Sequence, residues 1–143
     1  ATGGGSVILK NGKKFPYTQQ IPGRHPRTAV GTDESGKILY FVTVDGRQED
    51  SVGMTVDELT ALMQEIGAYN AINCDGGGST QMVARLMGEG NKVVNSPSET
   101  RLIPTGIGII ADAGKGSFSH VRVTVPTEKI ASGSPVDVWV RKA

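Results

Sequence analysis

Between Thr55 and Gly67 apolar residues recur at helical spacing, with Val56, Leu59, Leu62, Met63 and Ile66 on one face. Thr55 followed by Glu58 three residues later matches a capping box, and Gly67 stands where a C-terminal glycine ends a helix. The pattern predicts one main amphipathic helix over about 55–66, with Asp57, Glu58 and Glu65 solvated and the methionines filling core. Elsewhere the period shortens to two. Ser6–Leu9 reads as a short strand ending in the Asn11-Gly12 turn, Lys13–Gly23 as an irregular surface loop, and Arg27–Gly31 as a strand entered through Pro26. After the Asp33-Glu34-Ser35-Gly36 turn cluster, Ile38, Leu39, Tyr40, Phe41, Val42 and Val44 make Lys37–Asp45 a β-branched and aromatic run suited to a central strand. Asn70–Asp75 follows the helix as a further strand. Gln81–Leu86 and Asn91–Asn95 pattern as a hairpin around Gly88-Glu89-Gly90, and Thr105–Ala111 as another buried strand.

These elements predict an α+β fold, a mixed β-sheet core with the helix packed on it, occupying residues 1–112. Residues 113–143 read as a linker and β-rich tail, with Val121, Val123 and Val125 alternating in one strand and Val136, Val138 and Val140 in a second. The tail either completes the sheet or opens a sandwich-like module.

Composition narrows the class. A chain of 143 residues holds one core and is short for two ordinary domains. The formal charge of +1 and the 5% aromatic content come without any basic stripe, so nucleic acid is not an expected partner. No apolar run approaches a membrane span, and no charged-then-apolar leader opens the chain. Cys74 has no second cysteine to pair with and no neighbours at metal-ligand spacing, so neither a disulfide nor a metal or other cofactor is expected.

The chemistry concentrates in Asn73-Cys74-Asp75-Gly76-Gly77-Gly78-Ser79-Thr80. Three successive glycines raise the entropy of the unfolded chain and belong where backbone geometry or a close approach excludes side chains. Glycine N–H groups in series can cradle an anion, Ser79 and Thr80 add two donors, and Asp75 can act on whatever the anion is attached to. The alternative is a plain turn between strands with Asp75 bonded to the backbone. Arg27 has the planar fork that suits a phosphate, or is a surface charge. Asp45 and Arg47, in the polar cluster where the Lys37–Asp45 strand ends, either contact ligand or pair with each other.

The series His25-Pro-Arg-Thr-Ala-Val-Gly31, Val42-Thr-Val-Asp-Gly-Arg47, Val52-Gly-Met-Thr55, Asn73-Cys-Asp-Gly-Gly-Gly-Ser-Thr80 and Val94-Asn-Ser-Pro-Ser98 resembles the phosphodiester glycosidase, or uncovering-enzyme-like, family. The resemblance runs in order from about Gly3 to Ile110. It implies a bacterial, secreted or cell-surface hydrolase that cleaves the sugar C1–oxygen bond of a sugar phosphodiester, typically an N-acetylglucosamine-1-phosphodiester, with a glycan or sugar phosphodiester as partner. Carried over by position, Arg27, Asp45, Arg47, Asn73, Asp75, Gly77, Gly78 and Ser79 fall on the family's motifs. Cys74 stands where the family usually has leucine, an apolar exchange. The family domain usually opens with an Asn-Gly-Gly-Phe-like segment, so a preceding N-terminal fragment of the same protein is an expected partner. Thr2 as an N-terminal nucleophile is disfavoured, because Ala1 precedes it.

The implied mechanism holds the phosphate on Arg27, the Gly76–Gly78 amides and Ser79, with Arg47, Asn73 and Thr80 also binding substrate. Asp75 is the base or the stabiliser of an oxocarbenium-like centre, and Asp45 is the second carboxylate. The competing expectation is a non-catalytic carbohydrate-binding, cell-surface or structural domain that keeps the fold and the cradle.

Overall fold

The structure is a computed structural model that describes residues 5–17, 22–86 and 90–110. The chain divides into the units Ala1–Gly106 and Ile107–Ala143, and the fold below is that of the first. Its strands are β1 (Ser6–Lys10), β2 (Lys13–Lys14), β3 (Arg27–Thr32), β4 (Leu39–Val44), β5 (Asn70–Asn73), β6 (Val83–Leu86) and β7 (Gly90–Val93), with one α-helix, α1 (Val56–Glu65), between β4 and β5. The class is α+β, as the pattern predicts. Among the described residues the sheet is not mixed, however: β2-β1-β5-β3-β4 forms a five-stranded sheet and β6-β7 a separate hairpin, and every pairing between these strands is antiparallel.

Local chemistry explains the elements that the pattern located. Asn11 and Gly12 both take positive φ, 54° and 72°, which closes a two-residue hairpin matching the right-handed twist of β1 and β2. Lys13 and Lys14 therefore belong to a strand rather than to the expected loop. Thr55 caps α1, with Glu58 N donating to its Oγ1 at 3.2 Å and Thr55 N donating to Glu58 Oε2 at 2.8 Å. At the other end Gly67 N donates to Gln64 O and Ala68 N to Met63 O, the paired bonds of a Schellman ending.

The helix lies on one face of the sheet. Ile8, Leu9, Ala29, Val44, Val56, Leu59, Met63, Ala68 and Ala71 are buried together, with Tyr40, Val42, Leu62 and Ile66 partly covered at the margin. Alternation along β3 puts Arg27, Ala29 and Gly31 on that face. A Cβ on Gly31 would come within 2.7 Å of Met63 Cε, so the glycine sets how closely the helix approaches.

Two expectations fail here for reasons of long-range pairing. The Lys37–Asp45 run was expected to be central, but β4 pairs only with β3 among the described strands and lies at the sheet edge. Its apolar character serves the helix side, where Tyr40, Val42 and Val44 face in. The middle of the sheet is β5, between β1 and β3. Thr105–Ile110, expected as a buried strand, is exposed and without regular structure, with Ile109 70% and Ile110 91% exposed. Ala111 and the tail of 113–143 lie outside the described residues.

Candidate functional site

The antiparallel order collects the singled-out residues at one end of the sheet. In register, Arg27 faces Val44 and Ala29 faces Asn73, so the start of β3 lies beside the exits of β4 and β5. Asp45 leaves β4 there, and Asp75 and the glycines leave β5. Backbone packs on backbone beneath them: a Cβ on Gly46 would lie 2.7 Å from Gly53 Cα and 2.9 Å from Pro26 N, and His25 and Met54 exchange backbone hydrogen bonds at 3.1 and 3.2 Å. Only residues without side chains at 46 and 53 allow this approach.

The Gly76–Thr80 segment is a tight 3₁₀ turn. Gly77 N donates to Pro26 O at 2.8 Å, Ser79 N to Gly76 O and Thr80 N to Gly77 O at 3.1 Å each. Of the Gly76–Gly78 amides expected as the cradle, that of Gly77 is thus committed within the fold, as are the Ser79 and Thr80 amides that follow. Gly77 sits at φ +59°, and a Cβ there would also meet the Arg47 guanidinium at 3.1–3.4 Å. Gly78 is buried, and a Cβ on it would collide with the carboxylate of Glu99. Thr80 is buried and accepts from Thr28 Oγ1 at 3.3 Å, which makes it a support of the turn.

The cations differ in setting. Arg27 is only 5% exposed; its Nε donates to Met54 O at 2.8 Å and its Nη2 to Gly23 O at 2.9 Å. Burial lowers its pKa from the ordinary arginine value, and the charge of Arg47 lowers it further. Arg47 is exposed, at φ 58°, with Nη2 3.4 Å from His25 Nδ1. His25 Nε2 lies 3.0 Å from Pro22 O, which assigns the ring proton to Nε2 and leaves Nδ1 as the acceptor.

The carboxylates differ too. Asp75 is exposed and takes no hydrogen bond or ion pair among the described residues, in contrast to the backbone-bonded alternative. Asp45 has both oxygens engaged: Asn95 Nδ2 donates to Oδ1 at 2.7 Å and Ser96 N to Oδ2 at 2.8 Å. It does not pair with Arg47. Asn95 also accepts from Met82 N at 2.8 Å, and Gln48 exchanges bonds with Ser96 O at 2.6 Å and Ser96 Oγ at 3.0 Å. The loop that leaves β7 is thereby fastened to the end of β4. Its continuation brings Arg101 Nη2 to Ser79 Oγ at 2.8 Å and Arg101 Nε to Glu99 at 3.2 Å. Asn95, Glu99 and Arg101 carried no assigned role in the sequence reading; Asn95 lies in the Val94–Ser98 motif, and Glu99 and Arg101 in the polar stretch just after it.

Asn73 is half-buried on the helix side of β5, and its Oδ1 is a buried acceptor without a partner, as is Ser98 Oγ. Burial raises the Cys74 thiol above its ordinary value, and the neighbouring Asp75 charge adds to this. Among the described residues no three His, Cys, Asp or Glu side chains gather as a metal site, and no helix is long and apolar enough to cross a membrane.

Set beside known proteins, residues 1–110 match the family profile described as phosphodiester glycosidase. The chain belongs to the phosphodiester glycosidase family. A 58-residue stretch, 41% of the chain, is 43% identical to the SPbeta prophage-derived uncharacterized protein YomE of Bacillus subtilis (strain 168). A 57-residue stretch, 40% of the chain, is 40% identical to the N-acetylglucosamine-1-phosphodiester alpha-N-acetylglucosaminidase of Mus musculus. These alignments span only 9% and 11% of the two relatives' lengths. A solved hypothetical protein from Synechocystis aligns at TM-score 0.43 and 26% identity, over 54% of this chain and 15% of that one.

Proposed function

We propose that this member of the phosphodiester glycosidase family hydrolyses a sugar-1-phosphodiester, of the N-acetylglucosamine-1-phosphodiester kind, at the sugar C1–oxygen bond. The observation that carries the reading is a glycine turn flanked by two guanidinium groups, Arg47 against Gly77 and Arg101 on Ser79, beside the unengaged carboxylate of Asp75. Family membership supports it, as does the substrate in the name of the mouse relative.

The roles follow from the settings of the groups. Arg47, Arg101 and Ser79 hold the phosphate, whose oxygens they stabilise as the C1–oxygen electron pair departs onto them. Asp75 takes a proton from the water that bonds to C1, or steadies the positive charge developing there. Arg27 serves mainly through its neighbours: its two carbonyl contacts hold the His25 and Met54 segments in place, and its charge adds to the field. Asp45 fastens the 95–101 loop. A phosphate leaving group needs little protonation, so the reaction tolerates having Asp45 in that structural role.

The test is release of the phosphate monoester from a methyl phosphodiester of N-acetylglucosamine-1-phosphate. Asp75→Asn is expected to lower kcat by about 10² or more with KM nearly unchanged, and Arg47→Ala mainly to raise KM. Full activity of Asp75→Asn would remove Asp75 from this role. A parent chain that binds the substrate without turnover would favour a binding domain.

A further inference from the structure

The place over Gly78 is already filled by an anion, and that anion belongs to the chain. A Cβ on Gly78 would run into Oε1, Cδ and Cγ of Glu99, so the Glu99 side chain lies directly on the turn. The same Oε1 is 3.2 Å from Arg101 Nε, while Nη2 of that guanidinium donates to Ser79 Oγ at 2.8 Å. Glu99, Arg101 and Ser79 thus form a chain of charge-assisted contacts over the turn where the phosphate is expected, with Arg47 on its Gly77 side.

Two features make this contact exchangeable. The side chains of Glu99 and Arg101 are 53% and 54% exposed, so their ion pair is screened and contributes little to holding the loop. The loop is fastened elsewhere, at Asn95 and Ser96 by Asp45 and Gln48, so Glu99 can swing off without releasing Arg101 from its position near Ser79.

We propose that Glu99 is an internal competitor for the phosphate seat and that Arg101 is the partner both share: a phosphate group entering over Gly78 displaces the Glu99 carboxylate and takes its contact with Arg101. The pair acts as a recognition device. A neutral sugar has nothing to offer Arg101 in place of Glu99, whereas a phosphate offers more oxygens and at least equal charge. This rests on reading the site as one for a phosphodiester.

The experiment titrates inorganic phosphate into the parent chain, Glu99→Gln and Arg101→Ala, following the Gly78 and Ser79 amide resonances, with hydrolysis measured separately. Removing the competing charge in Glu99→Gln is expected to tighten phosphate binding about two- to fivefold, the range of an exposed ion pair, and the gain should shrink as salt is raised. Arg101→Ala should weaken binding about tenfold. Equal or weaker phosphate binding by Glu99→Gln overturns the exchange, as does a phosphate response confined to other amides. If Glu99→Gln binds phosphate more tightly while the parent hydrolyses no sugar phosphodiester, the exchange stands and the glycosidase reading fails. If the parent is active and Glu99→Gln does not tighten binding, the reverse holds.

Discussion

Replacing Asp45 by asparagine keeps the shape of the side chain but exchanges one acceptor for a donor. In the parent chain Asp45 accepts from Asn95 Nδ2 at 2.7 Å and from Ser96 N at 2.8 Å. An asparagine at 45 can accept only one of these. If its oxygen faces Ser96, its amide group meets Asn95 Nδ2; if Asn95 turns over to accept, its own amide group faces Met82 N, which it now serves as acceptor at 2.8 Å. The mismatch moves among Ser96, Asn95 and Met82 but is never removed. Losing a hydrogen bond to a charged acceptor costs about 1.5–3 kcal/mol. At the lower end, suited to a site partly open to water, this is about a tenfold rise in local opening. Amide hydrogen exchange reads that directly: in Asp45→Asn, Ser96 or Met82 should exchange about tenfold faster than in the parent, while Leu59 inside α1 keeps its rate. The activity should fall as well, since Glu99 and Arg101 ride on the loosened loop. Unchanged exchange at both Ser96 and Met82 would refute the view of Asp45 as the fastening of this loop.

Burial separates two leucines of α1 that sequence spacing treats alike. Leu59 is fully buried and Leu62 only partly, so Leu59→Ala should destabilise by about 2–5 kcal/mol and Leu62→Ala by about 1 kcal/mol, measured by urea unfolding. Equal effects would contradict the packing of the helix face. The raised Cys74 thiol keeps its proton to higher pH in the folded chain than in the unfolded one. Its contribution to stability is therefore constant below about pH 8.5, the free-thiol value, and is lost as pH rises from there towards the folded value. Alkylation of native Cys74 should accordingly come on at higher pH than that of a free thiol, and Cys74→Ser should flatten the alkaline part of the melting profile; a midpoint at or below the free-thiol value would contradict this.

What the chain carries locally was legible in it. The extent of α1, its capping box and its glycine ending each depend on residues within a few positions of one another, and so does the Asn11-Gly12 turn. The glycine run was recognisable as a place where side chains are excluded, because φ +59° at Gly77 and close contact at Gly78 leave a signature in composition. The decisions that needed the tertiary structure all turn on partners far away in sequence. An apolar run such as Leu39–Val44 says that a strand has something to bury, but whether it has one neighbour or two depends on which strand arrives beside it. The spacing around Arg27 points no further than to a surface charge, and that it is buried with its fork on the Gly23 and Met54 carbonyls is decided by the fold. Asp45 shows in the sequence as a carboxylate at a strand end, and only the fold brings residues 95 and 96, about fifty positions on, to bond both its oxygens. Glu99 carried no signal at all: a glutamate in a polar loop has a role only because the fold sets it on Gly78, and no periodicity in the sequence records a contact made across the end of a sheet.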